Sequence, residues 1–315
     1  MRDEEASEPE RGIMQKLGGP RLNGQMPLGE VFGEVASALR GAGLEQPELE
    51  ARRLLETAID ISGAQLLARQ KALVSVHDVD VVQSVLTRRL AHEPLGRIAG
   101  QRDFYGRSFT LSEATLEPRA DSETLIDVVL DYTGRRRLAD HPLKILDVGT
   151  GTGCLLLTLL SELPEATGLG TDISGDALET ARGNAKRLGL TDRVAWEQTP
   201  GLNGIEGPFD ILISNPPYIP SAEIAGLAAE VRLHDPSAAL DGGADGLEVY
   251  RQIARRLAVA VPNGLIVLEV ADGDHQRVID VIKTGMADDK IEVVGCFEDL
   301  AGLVRCVALM TLCSG

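Results

Sequence analysis

The run Asn215-Pro216-Pro217-Tyr218 has the residue types to methylate a planar NH2 group. An amide or exocyclic amine nitrogen is a poor nucleophile because its lone pair is delocalised. Two fixed oxygens that accept its N–H hydrogens can aim the nitrogen at an electrophilic methyl. The Asn215 side-chain oxygen and the Pro216 carbonyl suit that task. Pro216 and Pro217 fix φ and stiffen the loop, and Tyr218 offers a flat face for a planar substrate. The run follows an apolar stretch, Phe209 to Ser214, which reads as a buried strand. It therefore sits at the strand-end edge where open α/β sheets bind ligands. A plain Pro-Pro turn after a strand is the competing reading.

A second motif lies upstream. Lys144 to Val148 reads as a short buried strand that runs into Gly149-Thr150-Gly151-Thr152-Gly153 and then into an apolar helix from Cys154. Glycines let the backbone turn tightly and approach a ligand. The spacing is G-x-G-x-G, and Cys154 stands where the third glycine of a pyrophosphate-binding turn would fall. A cofactor without a pyrophosphate is favoured, and S-adenosylmethionine (SAM) fits, its amino-acid end over the turn. The next strand ends in Asp172, placed to accept both ribose hydroxyls. Asp147 could brace the turn or reach SAM through water.

These residues need a scaffold. Strands are expected near 144–149, 167–172, 192–197, 209–214, 263–270, 291–297 and 303–311, with helices near 153–162, 175–188, 245–261 and 274–285. Alternating strands and helices imply a doubly wound α/β sheet, Rossmann-like, seven-stranded and mostly parallel. The short link from Glu298 to Gly302 suggests a closing antiparallel hairpin. This methyltransferase domain is assigned to 119–315. Residues 27–96 are helical in pattern, with Leu54, Leu55 and Ile59, then Val82, Val85 and Leu86, at helical spacing, and breaks near Gly41–Gly43, Gly63 and His77-Asp78. They suit a small bundle. Residues 97–118 alternate and read as a linking β-hairpin, and 1–26, polar and aperiodic, as a disordered tail.

Composition narrows the class. The chain has 315 residues and a formal net charge of −17. Such acidity opposes a nucleic-acid partner, and no basic stripe with interleaved aromatics is visible. Four scattered cysteines, Cys154, Cys296, Cys306 and Cys313, form no C-x-x-C pair, and five dispersed histidines form no metal cluster. No apolar run approaches the ~18 residues needed to cross a bilayer. The acidic start is no secretory signal. The expectation is a cytoplasmic, metal-free, monomeric enzyme.

From about residue 28 to 311 the chain resembles the release-factor glutamine methyltransferase family. The blocks that carry this are Glu93 to Gly100, Asp103-Phe104-Tyr105-Gly106, and Leu116 to Thr124, similar to the family's P-R-P-[DE]-[ST]-E segment. The glycine turn, N-P-P-Y-I, Glu230-Val231-Arg232, His234-Asp235-Pro236 and the run Ala239 to Leu247 complete it. The resemblance implies a class I SAM-dependent methyltransferase fold. It implies methylation of the glutamine side-chain nitrogen in the Gly-Gly-Gln motif of peptide chain release factors. It makes the helical region the grip on the protein substrate, with a packing cap on the catalytic domain as the plainer alternative, and puts Phe104 in the glutamine pocket, with an ordinary core phenylalanine as the plainer alternative. Arg119 and Glu123 would orient the methionine end or form a structural ion pair. The chain departs from the family at Ala120, where proline is usual, at Gln198-Thr199-Pro200-Gly201, where an acid and an aromatic often frame adenine, and at Glu269-Val270-Ala271-Asp272-Gly273, where the glycine is displaced. Three alternatives stand beside this reading: a ribosomal-protein glutamine methyltransferase, a nucleic-acid amino-methyltransferase, and a non-catalytic SAM-binding module.

Overall fold

The computed structural model describes residues 22, 24–286 and 290–312. The expected tail at 1–26 lies mostly outside the described residues, and so does Cys313. The chain divides into two units after Ala99.

The first unit follows from helical spacing and caps. A two-residue strand β1 (Met26–Pro27) precedes α1 (Leu28–Gly41), α2 (Pro47–Ile59) and α3 (Gly63–Ala68). Strand β2 (Leu73–Val74), α4 (Val76–Leu90) and α5 (Leu95–Ala99) follow, with β1 and β2 paired antiparallel. Val31, Val35 and Leu39 of α1, Leu54 and Leu55 of α2, and Val79, Val82 and Leu86 of α4 are fully buried together. Burial of each such side chain favours folding by about 1.5–3 kcal/mol. His77-Asp78, expected at a break, lies in the first turn of α4. Ser75 caps that helix by accepting the Asp78 N–H at 3.0 Å, so the break falls at Ser75.

The second unit opens with the hairpin β3 (Gln101–Phe104) and β4 (Arg107–Thr110), then α6 (Glu123–Arg135), β5 (Lys144–Val148), α7 (Cys154–Glu162), β6 (Thr167–Asp172), α8 (Gly175–Leu188), β7 (Val194–Gln198) and β8 (Ile211–Ser214). It continues with α9 (Ala229–His234), α10 (Glu248–Ala254), α11 (Leu257–Ala260), β9 (Leu265–Glu269), α12 (His275–Met286), β10 (Ile291–Glu298) and β11 (Val304–Thr311). Seven strands form one sheet in the order β10-β11-β9-β8-β5-β6-β7. Strands β5 to β9 pair in parallel, and β11 runs antiparallel to both β9 and β10. Strands β8 and β9 are buried at every residue, as expected of parallel strands covered on both faces. Their side chains alternate between two cores. Ile145, Ile211, Ile213 and Val267 face one, and Leu146, Leu212, Ile266 and Leu268 the other.

Three expectations change. The helix near 245–261 is two, α10 and α11, with a break at Arg255-Arg256. Helix α6, absent from the expected elements, packs Leu125, Ile126 and Val129 into the first core. The hairpin, expected as a link between domains, belongs to the second unit, where Phe104 and Phe109 are buried in the core.

Candidate active site

The parallel strands all end on one edge of the sheet. The chain runs from β5 outward through β6 and β7, then returns to β8 and β9 on the other side of β5. That reversal opens a crevice at the strand ends. A cavity of about 330 Å³ lies there.

The β5 side supplies the glycine turn and Asp172. Gly149 and Gly151 have φ of +72° and +55°, and a Cβ on either would meet nothing within 4 Å. The turn thus combines a conformation that L-residues avoid with open space at the backbone. Asp172 holds the turn in place. Its Oδ2 accepts the Gly151 N–H and its Oδ1 the Ser174 N–H, both at 2.9 Å. Burial raises the Asp172 pKa, and these backbone donors oppose the rise. Beneath the turn, Asp147 is fully buried and its Oδ2 accepts the Thr150 hydroxyl at 2.6 Å, while its Oδ1 has no hydrogen-bond partner. Burial pushes the Asp147 carboxyl up to about 7; the Thr150 bond opposes this and the nearby Asp172 charge adds to it.

These features fit SAM. The open glycine cradle suits its amino-acid end, the Asp172 oxygens keep free lone pairs for a ribose diol, and Asp147 has an unused acceptor beneath the turn. Thr199, Pro200 and Gly201, left without a role by the sequence, line the same cavity with Val249 and Gln252. Trp196 does not line it. Its ring packs over Gly170, where a Cβ would lie 2.4 Å from a ring carbon. Cys154 is a wall residue whose burial pushes the thiol up to about 12, so it stays protonated.

The β8 side supplies the N-P-P-Y loop. Asn215 and Pro217 line the cavity; Pro216 is buried and Tyr218 half-buried behind them. Asn215 Nδ2 donates to Ser122 Oγ at 3.2 Å, and Ser122 donates to Glu269 Oε2 at 2.5 Å. The Tyr218 hydroxyl donates to Glu269 Oε1 at 3.4 Å, and Tyr250 donates to the Glu269 backbone carbonyl at 2.7 Å. The 239–247 segment braces the loop from outside. Ile219 pairs with Asp241, and the Gly242 N–H donates to the Ile219 carbonyl at 2.8 Å. A Cβ on Gly242 would lie 2.8 Å from the Pro217 carbonyl oxygen, and one on Gly246 would lie 2.4 Å from that of Tyr218.

Phe104 takes the core alternative and not the pocket. It is 1% exposed, meets Phe109 edge-on at 6.3 Å, and is not among the cavity residues. A ring that completes an apolar core has no face left for a substrate. Arg119 lines the cavity and pairs with the buried Asp235 at 2.6 Å, and Glu123 accepts the Tyr105 N–H at 2.7 Å. Ser122 and Glu269 went unassigned in the sequence. They stood inside the P-R-P-[DE]-[ST]-E segment and the late Glu269-Val270 segment, where the only signal was a hydroxyl between two acids and an acid at the end of an apolar run.

Residues 30–100 match a PrmC N-terminal domain, and residues 135–245 a methyltransferase small domain. The release factor glutamine methyltransferase of Bradyrhizobium diazoefficiens is 44% identical over 278 residues, which cover 87% of this chain and 91% of that one. This chain belongs to the release factor glutamine methyltransferase family. The Rhodospirillum rubrum member is 38% identical over 308 residues, 96% of this chain and 91% of its own length. Among solved structures, the hMettl16 catalytic domain in complex with a MAT2A 3′UTR hairpin shares the fold, with a TM-score of 0.52, 17% identity, and coverage of 73% of this chain and 82% of that one. The chain is therefore a SAM-dependent methyltransferase built on a Rossmann-like sheet. Among the described residues no helix is long and apolar enough to cross a membrane.

Proposed function

We propose that this enzyme methylates the side-chain amide nitrogen of the glutamine in the Gly-Gly-Gln motif of peptide chain release factors, in the cytoplasm and as a monomer. One observation carries the reading: Asn215 spends its NH2 on Ser122 and so keeps its oxygen for a donor in the cavity that the glycine turn also lines. A glutamine amide is such a donor, and the relatives' name points to the same group.

SAM, when bound, supplies a methyl already activated on a sulfonium. Gly149 to Gly153 hold its amino-acid end, and Asp172 accepts its ribose hydroxyls. Asn215 Oδ1 and the Pro216 carbonyl accept the two amide hydrogens. They fix the nitrogen's direction and strengthen as it becomes cationic. Pro217 stiffens the loop, and Tyr218 backs it. The S–CH3 bond would break as the N–CH3 bond forms, S-adenosylhomocysteine would leave as a neutral thioether, and the nitrogen would lose one N–H proton to water, so no covalent intermediate or metal is needed. The slot reads little beyond the amide, so residues 27–96 supply the grip on the rest of the protein substrate. Removing them should raise KM for intact release factor while SAM binding survives.

The test is to incubate the purified chain with labelled SAM and, separately, release factors, ribosomal proteins and RNA, and to map the labelled atom by mass spectrometry. Label on the Gly-Gly-Gln glutamine is expected. Label on RNA or a ribosomal protein, with none on a release factor, would overturn the reading.

A further inference from the structure

Deepening the proposed function, and resting on its reading of Asn215 as the acceptor for the substrate amide, we propose that Glu269 and Ser122 are positioning residues that decide which way round the Asn215 amide sits. The two ends of an Asn side chain are alike in shape and opposite in polarity. One presents an oxygen to the cavity, the other an NH2, and only the first accepts from a substrate N–H. Nothing in the shape of Asn215 makes that choice. Its neighbours make it.

The choice runs through one chain of donors. An ionised carboxylate only accepts. Glu269 therefore takes the Ser122 proton at 2.5 Å, which leaves the Ser122 oxygen as an acceptor. That oxygen takes the Asn215 NH2 at 3.2 Å. Asn215 Oδ1 is then turned away from Ser122. Ser122 is 3% exposed and Glu269 also 3%, so water competes little for either group. Tyr218 donates to the other Glu269 oxygen and Tyr250 to its carbonyl, and both clamp the acid from the β8 and α10 sides.

The relay has a proton-dependent limit. Glu269 faces Ser122 and Asp121 from the turn before α6, Tyr218 after β8, Tyr250 on α10, Cys154 on α7, and Arg305 and Cys306 on β11. Burial pushes its carboxyl up to about 7; the Ser122 bond and Arg305 oppose this, while Asp121 adds to it. A protonated Glu269 can donate to Ser122, whose own proton is then free to turn to Asn215 Oδ1. That state presents NH2 to the substrate.

The test uses the full chain and three variants, with two readouts. Ser122→Ala should lower kcat about five- to tenfold, the scale of one lost orienting hydrogen bond, with SAM affinity by calorimetry unchanged. Ser122→Thr, which keeps the hydroxyl, should restore it. A packing role predicts the reverse order, since threonine adds a methyl to a filled site. In the wild type kcat should fall as the pH drops below about 7, and Glu269→Gln should lose that limb. The second readout needs no substrate. The Asn215 side-chain NH2 resonance should move with pH in the wild type, stay still in Glu269→Gln, and shift and broaden in Ser122→Ala. A wild type that methylates no glutamine would sink the proposed function, and the Asn215 resonance would still decide the relay. Wild-type kcat in Ser122→Ala, or an Asn215 resonance indifferent to Ser122 and Glu269, would overturn it.

Discussion

Gly246→Ala tests whether the 239–247 segment sets the N-P-P-Y loop. Gly246 has φ of +78°, and an added Cβ would lie 2.4 Å from the Tyr218 carbonyl oxygen. The left-handed conformation costs an L-residue about 1–2 kcal/mol. The collision adds about 1–3 kcal/mol of overpacking. Ordinary contact begins near 3.4 Å, so the Tyr218 carbonyl or the 246 backbone must give by about 1 Å. A shift of that size at an aligned acceptor can lower turnover about 10²-fold. The glycine turn and Asp172 lie across β5 and should keep their affinity for SAM. The assay is kcat and KM on a release factor, SAM affinity by calorimetry, and thermal melting. Gly226→Ala is the control, because a Cβ there meets nothing within 4 Å and the backbone has no positive φ. Loss of turnover with intact SAM binding is expected for Gly246→Ala alone. A variant that melts earlier yet turns over at the wild-type rate would refute the bracing argument.

Other outcomes follow from the same geometry. Asp172→Ala should weaken SAM binding by about 1–3 kcal/mol and also lower the melting temperature without SAM, because the Gly151 and Ser174 N–H groups lose their acceptor. Unchanged calorimetric affinity would remove Asp172 from the site. Asn215→Ala should leave SAM affinity near the wild-type value and cut turnover about 10²–10³-fold. Asn215→Asp, which adds a charge, should also be slow, and wild-type turnover in both would eliminate the role of Asn215. Asp147, pushed up to about 7 by burial, keeps its proton in the folded chain where the unfolded chain has lost it. Stability should therefore fall as pH rises from the ordinary carboxylate value of ~4 to about 7. Urea midpoints should fall less steeply across that window in Asp147→Asn, where Glu269, also pushed up to about 7, still contributes; an equally steep fall in that variant would contradict the assignment.

Strands β5 and β8 were legible because each is an apolar run cut off by a chemistry-bearing turn: Val148 before Gly149, Ser214 before Asn215. The glycine turn and Asp172 stood out because few other jobs need those residues at that spacing. Helix α6 was not read. Its Ile126, Val128 and Val129 are β-branched and weaken the helical signature, although Leu125, Ile126 and Val129 fall on one face. The partners of Asn215 were out of reach for a different reason. Ser122 and Glu269 are 147 residues apart and meet only when α6 and β9 pack on the sheet. Phe104 misled because its segment sits among substrate-side motifs, while its side chain answers to Phe109 across the hairpin.

The reversal of strand order at β5 makes the site a composite of two transplantable blocks. The groups assigned to SAM stand mostly on the run from Asp147 to Gly201, and those assigned to the acceptor on the run from Asn215 to Glu269. Either block could diversify by recombination while the other kept its task, so a common methyl-donor half can be joined to unrelated acceptor halves. Ser122 is the exception. It stands upstream of both blocks, and among the described residues its hydroxyl hydrogen-bonds into the second alone. A chimaera that imports a foreign N-P-P-Y half must therefore bring an acid where Glu269 stands, or the inherited hydroxyl will have no acceptor to hold its direction.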